Sequence, residues 1–291
     1  MSLVSKNLGL LHKKLFPRGI TTRFREMQRS IEKRAYRRQI SASEFREGLL
    51  RLGEWKSRPV WVQTSWNDFY NVAMRPSEII EMMVDLVGQH GTLAMPAFPL
   101  RNDPAVELAI DIAPVNTGLV SEMFRRMPGA ERSIHLRASV AALGPDAKAF
   151  TADHHLTEYS WGPNSPYGRL YETNGLMVGL GIVPLGFTPL HYVECVLHHE
   201  VPFFENVVFD GSTVSYRWKR KTGERGEHTF LDRNGRIWAG RLRKYFPNDI
   251  YTEFPLSNLK MSSAPARQTV DIAIALARRN KTVYFEPPRH F

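Results

Sequence analysis

The sequence predicts an α/β protein: one layered domain around a central mixed sheet, preceded by a basic helical arm. Three observations carry this expectation. Short apolar runs alternate with segments of helical periodicity, as in layered α/β folds. A late β-rich stretch, from Val207 to Leu231, interrupts that alternation and argues for a mixed sheet. The first 40 residues hold eleven Lys and Arg against only Glu26 and Glu32, which is +9 of the whole chain's +10. The boundary is therefore placed between residues 1–40, the arm, and 41–291, a nearly neutral body.

Each element has a local reason. In the arm, Val4, Leu8, Leu11 and Leu15 form one apolar stripe at spacings of 4, 3 and 4, flanked by Lys6, Lys13 and Lys14. Pro17-Arg18-Gly19 ends that helix. Three roles compete for the arm: docking on the body or a second subunit, lying on an anionic membrane surface, and binding nucleic acid. Few aromatics and no reader motif put nucleic acid last. The first 25 residues contain no acid, so a cleaved transit peptide also fits.

In the body, Ser41 and Glu44 form a capping box before a helix through Leu52. Pro59 to Ser65 reads as a buried strand. Pro76 opens a helix with Ile79, Ile80, Met83, Val84 and Val87 on one face, ending near Gly88. Strands are expected at Thr92–Phe98, Ser139–Leu143 and Leu176–Leu180, with a helix at Leu119–Met127. After the β-rich stretch, a helix is expected from Asp232 to Tyr245. A last helix over Pro265–Arg279 precedes a final strand at Thr282–Phe285.

Composition narrows the function classes. With 43% hydrophobic residues over 291 positions, the chain can bury a sizeable core. No apolar run approaches the roughly 20 residues of a bilayer span. Cys195 is the single cysteine, which excludes an intramolecular disulfide framework and multi-thiolate zinc sites and points to the reducing cytoplasm.

The segment Thr188-Pro189-Leu190-His191-Tyr192-Val193-Glu194 reads as a helix start. Thr188 suits the N-cap and Pro189 the first helical position. His191 then falls in the first turn, where the partial positive charge favours a neutral, proton-accepting imidazole. Glu194, three residues on, shares its face and can orient the ring. His191, Glu194 and His198 could also ligate a metal, but the i, i+4 histidine pair of zinc enzymes is absent, so no metal is expected. Cys195 lies four residues from His191, which leaves a Cys–His nucleophile open beside the simpler reading of a small buried hydrophobe. Arg132-Ser133-Ile134-His135 groups a cation, a hydroxyl and an imidazole, either as a ligand-orienting loop or as a solvated connection.

Together these pieces resemble the aminoglycoside 3-N-acetyltransferase family of antibiotic N-acetyltransferases, from about Ser41 to the C-terminus. Val62-Gln63-Thr64-Ser65 looks like the family's V-H-S-S, with Gln63 for His and Thr64 for Ser. Gly91-Thr92-Leu93-Ala94-Met95-Pro96 matches G-T-L-x-M-P. Arg132-Ser133-Ile134-His135 matches R-S-x-H-P, with Leu136 in place of the proline. Ser139 to Gly144, then Ser165-Pro166 with Leu170, follow in order, and Thr188 to Glu194 matches T-x-L-H-x-x-E. The resemblance implies acetyl-CoA as co-substrate and direct transfer in a ternary complex. It makes His191 the general base and Glu194 its orienting group. Thr64, Ser65, Arg132 and Ser133 would line the coenzyme A channel or its thioester end.

The acceptor is read from charge. Aminoglycosides are polycations and call for acidic pockets. The loop Pro99 to Asp103 keeps only Asp103, and Tyr216-Arg217-Trp218-Lys219-Arg220-Lys221 carries four cations. Arg217 and Lys219 would suit a phosphate or pyrophosphate, unless they simply guard a solvated hairpin edge. The preferred expectation is an N-acetyltransferase for an amino sugar, nucleotide-linked and destined for a surface polysaccharide, with the arm near the inner membrane surface. An aminoglycoside 3-N-acetyltransferase conferring antibiotic resistance is the alternative. A non-catalytic binding protein that uses the arm is the alternative of a different class.

Overall fold

A computed structural model describes residues 33–235, 237–238 and 240–284, together with Met27, Ser30 and Ile31. The apolar stripe of the arm and the end of the expected last strand, Phe285, lie outside the described residues. The body begins at Ile40, which is buried and bridges in parallel to Val72.

The elements run α1 (Ala42–Leu50), β1 (Pro59–Thr64), α2 (Pro76–Val87), β2 (Thr92–Pro96), β3 (Leu108–Ala109), α3 (Leu119–Phe124), β4 (Glu131–Arg132), β5 (Val140–Leu143), α4 (Ala147–Thr151), α5 (Pro166–Glu172), β6 (Leu176–Leu180), α6 (Tyr192–Val196), β7 (Thr213–Lys219), β8 (Arg225–Leu231), β9 (Thr252–Leu256), β10 (Leu259–Pro265) and α7 (Ala266–Ala277). Seven strands form the main sheet in the order β4-β5-β2-β1-β6-β10-β9. Only β2-β1-β6 is parallel; the flanking pairs are antiparallel. The sheet is mixed, as the sequence predicts. The late β-rich stretch is not its cause, because β7 and β8 form a second, three-stranded sheet with β3.

Helices cover both faces of the main sheet, and the pleat sorts residues between them. Val60 and Val62 of β1, Leu93 and Met95 of β2, and Val178 of β6 pack with Phe45 and Leu49 of α1 and Ile79, Ile80 and Met83 of α2. Trp61, Ala94 and Met177 point the other way, against Tyr167 and Leu170 of α5, Tyr192 and Val193 of α6 and Val270 and Ala273 of α7. Ser41 caps α1 in the expected capping box, and Gly88 ends α2 at φ 72°. The Gly91-Thr92 motif has a packing reason. A Cβ on Gly91 would lie 2.7 Å from the Val87 carbonyl oxygen, and one on Gly144 would lie 2.3 Å from the Gly91 carbonyl oxygen, so each position needs glycine.

Two expectations are corrected, and one element was not anticipated. The helix expected over Asp232–Tyr245 is an irregular segment ending in a 3₁₀ turn, Arg241–Tyr245. Gly235 (φ 97°) and Gly240 (φ 79°) take left-handed conformations no helix accommodates. The β-rich stretch opens not on a strand but on a wide helical turn, Phe204–Val208. The hairpin β9–β10 was not expected, because Pro255 and the serines Ser262 and Ser263 depress strand propensity. Ser262 and Ser263 are nonetheless buried in the sheet.

The small sheet turns alternate residues inward, Tyr216 and Trp218 from β7 and His228 and Phe230 from β8. There they meet His135 and His154. The His135 ring stacks 4.5 Å from His154 and lies 5.4 Å from His228. Burial, with the neighbouring rings adding, holds the His135 imidazole well below its usual range, and burial brings His154 down to about 3. His228 is lowered by burial as well. These rings stay neutral in the fold but protonate freely once unfolded. The unfolded state therefore binds more protons below about pH 6.5, and stability falls as pH drops through that value. Thermal melts are expected to show a falling midpoint from about pH 7 to about pH 5, with a slope of up to about 1.4 kcal/mol per pH unit for each ring. A flat profile over that interval would contradict the buried cluster.

Candidate active site

Strand β1 pairs with β2 on one side and β6 on the other, so the chain leaves β1 in opposite directions. A crevice opens at the carboxyl ends of such strands. Thr64 ends β1 there, beside Leu180 and Gly181. The Ser65 N–H extends the ladder by donating to the Leu180 carbonyl at 2.9 Å.

From Gly181 the chain loops to a 3₁₀ turn, Thr188–His191, which leads directly into α6. This corrects the expected helix start. Thr188 does not cap through its side chain, and a five-residue helix aligns too few peptide units for a strong dipole at His191. A glutamine anchors the turn instead. The Gln63 side-chain oxygen accepts the Thr188 N–H at 2.7 Å and the Trp61 indole N–H at 2.9 Å. The departure from the family's V-H-S-S pattern thus carries a positional role.

His191 and Glu194 are brought together. His191 Nδ1 lies 3.2 Å from Glu194 Oε1, off the axis of a hydrogen bond. His191 is 8% exposed and Glu194 2%. The Trp161 ring sits 5.1 Å from the imidazole. Two residues not anticipated from sequence complete the group. Tyr284 donates its hydroxyl to Glu194 Oε2. Arg233, directly beyond β8, places Nε 3.5 Å from Glu194 Oε1 and donates from Nη1 to the Tyr284 oxygen at 2.9 Å. The Arg233 guanidinium also lies 5.3 Å over the Trp161 ring. Burial pulls against the Arg233 cation, but the Glu194 charge, with the hydrogen bond to the Tyr284 oxygen, outweighs it and raises its pKa. Burial and the Glu194 charge push the Tyr284 hydroxyl well up, so it remains a donor. Neither residue announces itself locally, since each lies far from Glu194 in sequence and reaches it only through the topology.

Cys195 is not the nucleophile. Its thiol points at the His191 backbone carbonyl, 3.4 Å away, and burial with the Glu194 charge pushes it well above the range of a reactive thiolate. His198 turns away to pair with the Tyr159 hydroxyl at 2.9 Å. Among the described residues, no three His, Cys, Asp or Glu side chains group closely enough to hold a metal ion.

The other expected site residues divide. Thr64 and Ser65 lie at the carboxyl end of β1, next to the Gln63 that anchors the His191 turn. Arg132 and Ser133 are interior braces. Arg132 donates to the carbonyls of Ile110 (2.8 Å), Ala113 (2.6 Å) and Ala97 (2.5 Å). Burial, with the Arg125 charge, pulls it down to about 9, still a cation at neutral pH. Ser133 is fully buried; its hydroxyl accepts the Val140 N–H and meets His154 Nδ1 at 2.9 Å. The hydrogen bonds of these two residues are directed inward.

The basic hairpin is likewise occupied. Lys219 pairs with Glu107 at 2.7 Å and Arg220 with Asp111 at 3.1 Å, while Arg225 joins Glu107 at 3.1 Å. Arg217 faces Glu227 across the strands. Asp103 accepts the Ala105 N–H at 3.0 Å and closes an exposed turn. Two of the four cations, Lys219 and Arg220, therefore tie the hairpin to the segment around β3.

An Arg132→Met variant is expected to lose at least about 3 kcal/mol, because three buried carbonyls lose their donors. Chemical denaturation measures this, and coenzyme A affinity of the folded fraction should be unchanged.

Against known proteins, a family model described as Aminoglycoside 3-N-acetyltransferase matches residues 61–278. Aminoglycoside N(3)-acetyltransferase VII of Streptomyces paromomycinus is 30% identical over 204 residues, covering 62% of this chain and 69% of the relative. Aminoglycoside N(3)-acetyltransferase IV of Salmonella sp is 31% identical over 169 residues, 57% of this chain and 64% of the relative. The fold is similar to that of AAC-IIIb, solved as a binary complex with CoASH, at a TM-score of 0.68 and 20% identity over 86% of this chain and all of that one (100%).

Proposed function

The chain belongs to the aminoglycoside 3-N-acetyltransferase family, and from that premise we propose that it moves the acetyl group of acetyl-CoA onto an amine of an aminoglycoside. The family makes it an acyltransferase with acetyl-CoA as co-substrate. The observation that carries the mechanism is the buried His191–Glu194 pair, set beside the carboxyl ends of the parallel strands.

His191 takes a proton from the acceptor as the amine nitrogen attacks the thioester carbonyl carbon. The carbonyl π electrons move onto oxygen, then return as the carbon–sulfur bond breaks, and the imidazolium gives its proton to the departing thiolate. Glu194 stabilises the imidazolium in between. Because the Ser65 N–H is already donated to Leu180, donors to the oxyanion from this corner come from the Thr64 and Ser65 hydroxyls.

The nucleotide-linked acceptor does not go forward. It depended on four hairpin cations, and Lys219 and Arg220 are neutralised by Glu107 and Asp111. The relatives' names point to aminoglycosides instead. As to a membrane, no described helix is long and apolar enough to cross one.

Release of coenzyme A thiol from acetyl-CoA, followed over several aminoglycosides and several nucleotide-linked amino sugars, tests this reading. Turnover is expected with aminoglycosides, reduced about 10²–10⁴-fold in His191→Ala. Turnover of nucleotide sugars alone would reverse the choice of acceptor. A second expectation concerns the carboxylate. Tyr284→Phe removes a hydrogen bond to a charged group, which is worth about 10-fold or more in kcat, with KM for acetyl-CoA unchanged. Arg233→Met removes the cation that competes with His191 for Glu194, so the acidic limb of the pH–rate profile is expected to move to higher pH.

A further inference from the structure

We propose that the basic arm, residues 1–38, holds this protein on an anionic lipid surface, with apolar side chains in the headgroup layer and cations against the lipid phosphates. The inference goes beyond the acyltransferase reading and does not depend on it. The arm lies wholly outside residues 61–278, the span matched to the family.

Charge supplies the first argument. Residues 1–40 carry eleven Lys and Arg against two Glu, a net +9, while the rest of the chain sums to +1. Near an anionic leaflet each such cation strengthens binding about fivefold. Apolar residues are interleaved with that charge. The sequence sets Val4, Leu8, Leu11 and Leu15 on one stripe among Lys6, Lys13 and Lys14. The described part of the arm repeats the pattern. Met27, Ile31, Lys33, Arg34 and Ala35 are helical, and Met27 and Ile31, one turn apart, are 54% and 61% exposed.

The body anchors the base of the arm without covering these side chains. Lys33, two positions past Ile31 and so on the far side of the helix, places Nζ 5.4 Å over the Tyr70 ring. The Tyr36 carbonyl accepts the Asn71 side-chain amide at 2.8 Å, and Ile40 bridges to Val72. Arg38 pairs with Glu44. Arg37 donates from Nε to the Arg34 carbonyl at 3.3 Å, and neither Arg34 nor Arg37 forms an ion pair with a described carboxylate. An exposed apolar pair and two uncommitted cations are thus held out from a fixed base. Complementarity selects the partner. A second copy of the chain would set +9 against +9, and the body at +1 has no net charge to attract the arm. Nucleic acid would engage the cations but leave Met27 and Ile31 without apolar contacts. An anionic bilayer satisfies both at once, with phosphates for the cations and the acyl boundary for the apolar residues. An aminoglycoside acceptor, as a polycation, would gather at the same surface.

Flotation of the whole protein with vesicles tests the assignment, one set of phosphatidylcholine alone and one that also contains phosphatidylglycerol. Binding is expected to the anionic set only, and to weaken as salt rises. Arg34→Gln/Arg37→Gln should weaken it about 10–30-fold, and Met27→Ser/Ile31→Ser about 10-fold or more, both with a wild-type melting temperature. Lys56→Gln/Lys148→Gln, a charge-matched pair exposed on the body, should bind as the wild type does. Thiol release from acetyl-CoA without vesicles should keep its wild-type rate in both arm variants, so this readout and the acyltransferase reading stand or fall apart from the lipid contact. Equal binding to both vesicle sets, an equal loss in the body pair, or no vesicle binding would overturn the proposal. Tighter binding to duplex DNA than to the anionic vesicles, or an arm variant that changes the number of subunits, would overturn it as well.

Discussion

A carboxylate removed from water must be paired, and Glu194 is the place where this protein meets that requirement. An unpaired buried charge costs several kcal/mol, so the arrangement around Glu194 is an energetic obligation whatever chemistry it serves. Its partners come from separate parts of the chain: Tyr284 from beyond α7, Arg233 from beyond β8, and His191 from the turn after β6. The small sheet, the C-terminal segment and the main sheet therefore meet at one side chain. Trp161 closes the group by packing against both His191 and Arg233. Arg233 and Tyr284 share the carboxylate, so its full field does not fall on the imidazole.

The main sheet positions this group through one residue. Gln63 on β1 accepts hydrogen bonds from Trp61 on its own strand and from Thr188 at the start of the His191 turn. An uncharged amide oxygen thereby satisfies a backbone N–H at the head of a turn too short to be stabilised by its own dipole. Fold and site are coupled here by a hydrogen bond as well as by the apolar packing of Leu190, Tyr192 and Val193.

How much of this was legible in the sequence follows from distance along the chain. The His191–Glu194 pair was legible because a helical turn brings i and i+3 together without help from the rest of the molecule. The capping box at Ser41 and the amphipathic helix α2 were legible for the same local reason. Arg233, Tyr284 and Trp161 were not, because only the tertiary fold carries them to Glu194. The bracing role of Arg132 and Ser133 was hidden for a related cause: a cation beside a hydroxyl suggests a ligand site, and only the fold shows that backbone carbonyls and His154 take their hydrogen bonds. The cations of β7 misled in the opposite way, since Glu107 and Asp111 lie in a loop whose position the sequence does not reveal. The serines of β10 concealed a central strand because propensity yields to burial.

The ion pairs that zip the small sheet have a further consequence. Lys219–Glu107, Arg225–Glu107 and Arg137–Asp232 stay partly open to solvent, so dissolved ions screen them over roughly 8 Å at physiological strength. Asp232 immediately precedes Arg233. Loosening these outer pairs would relax the segment that delivers the guanidinium to Glu194, although Glu194 itself lies beyond the reach of such screening. Ionic strength then becomes a remote control on the acid–base group, and the enzyme would read the saltiness of its surroundings through a sheet that contributes no atom to the chemistry.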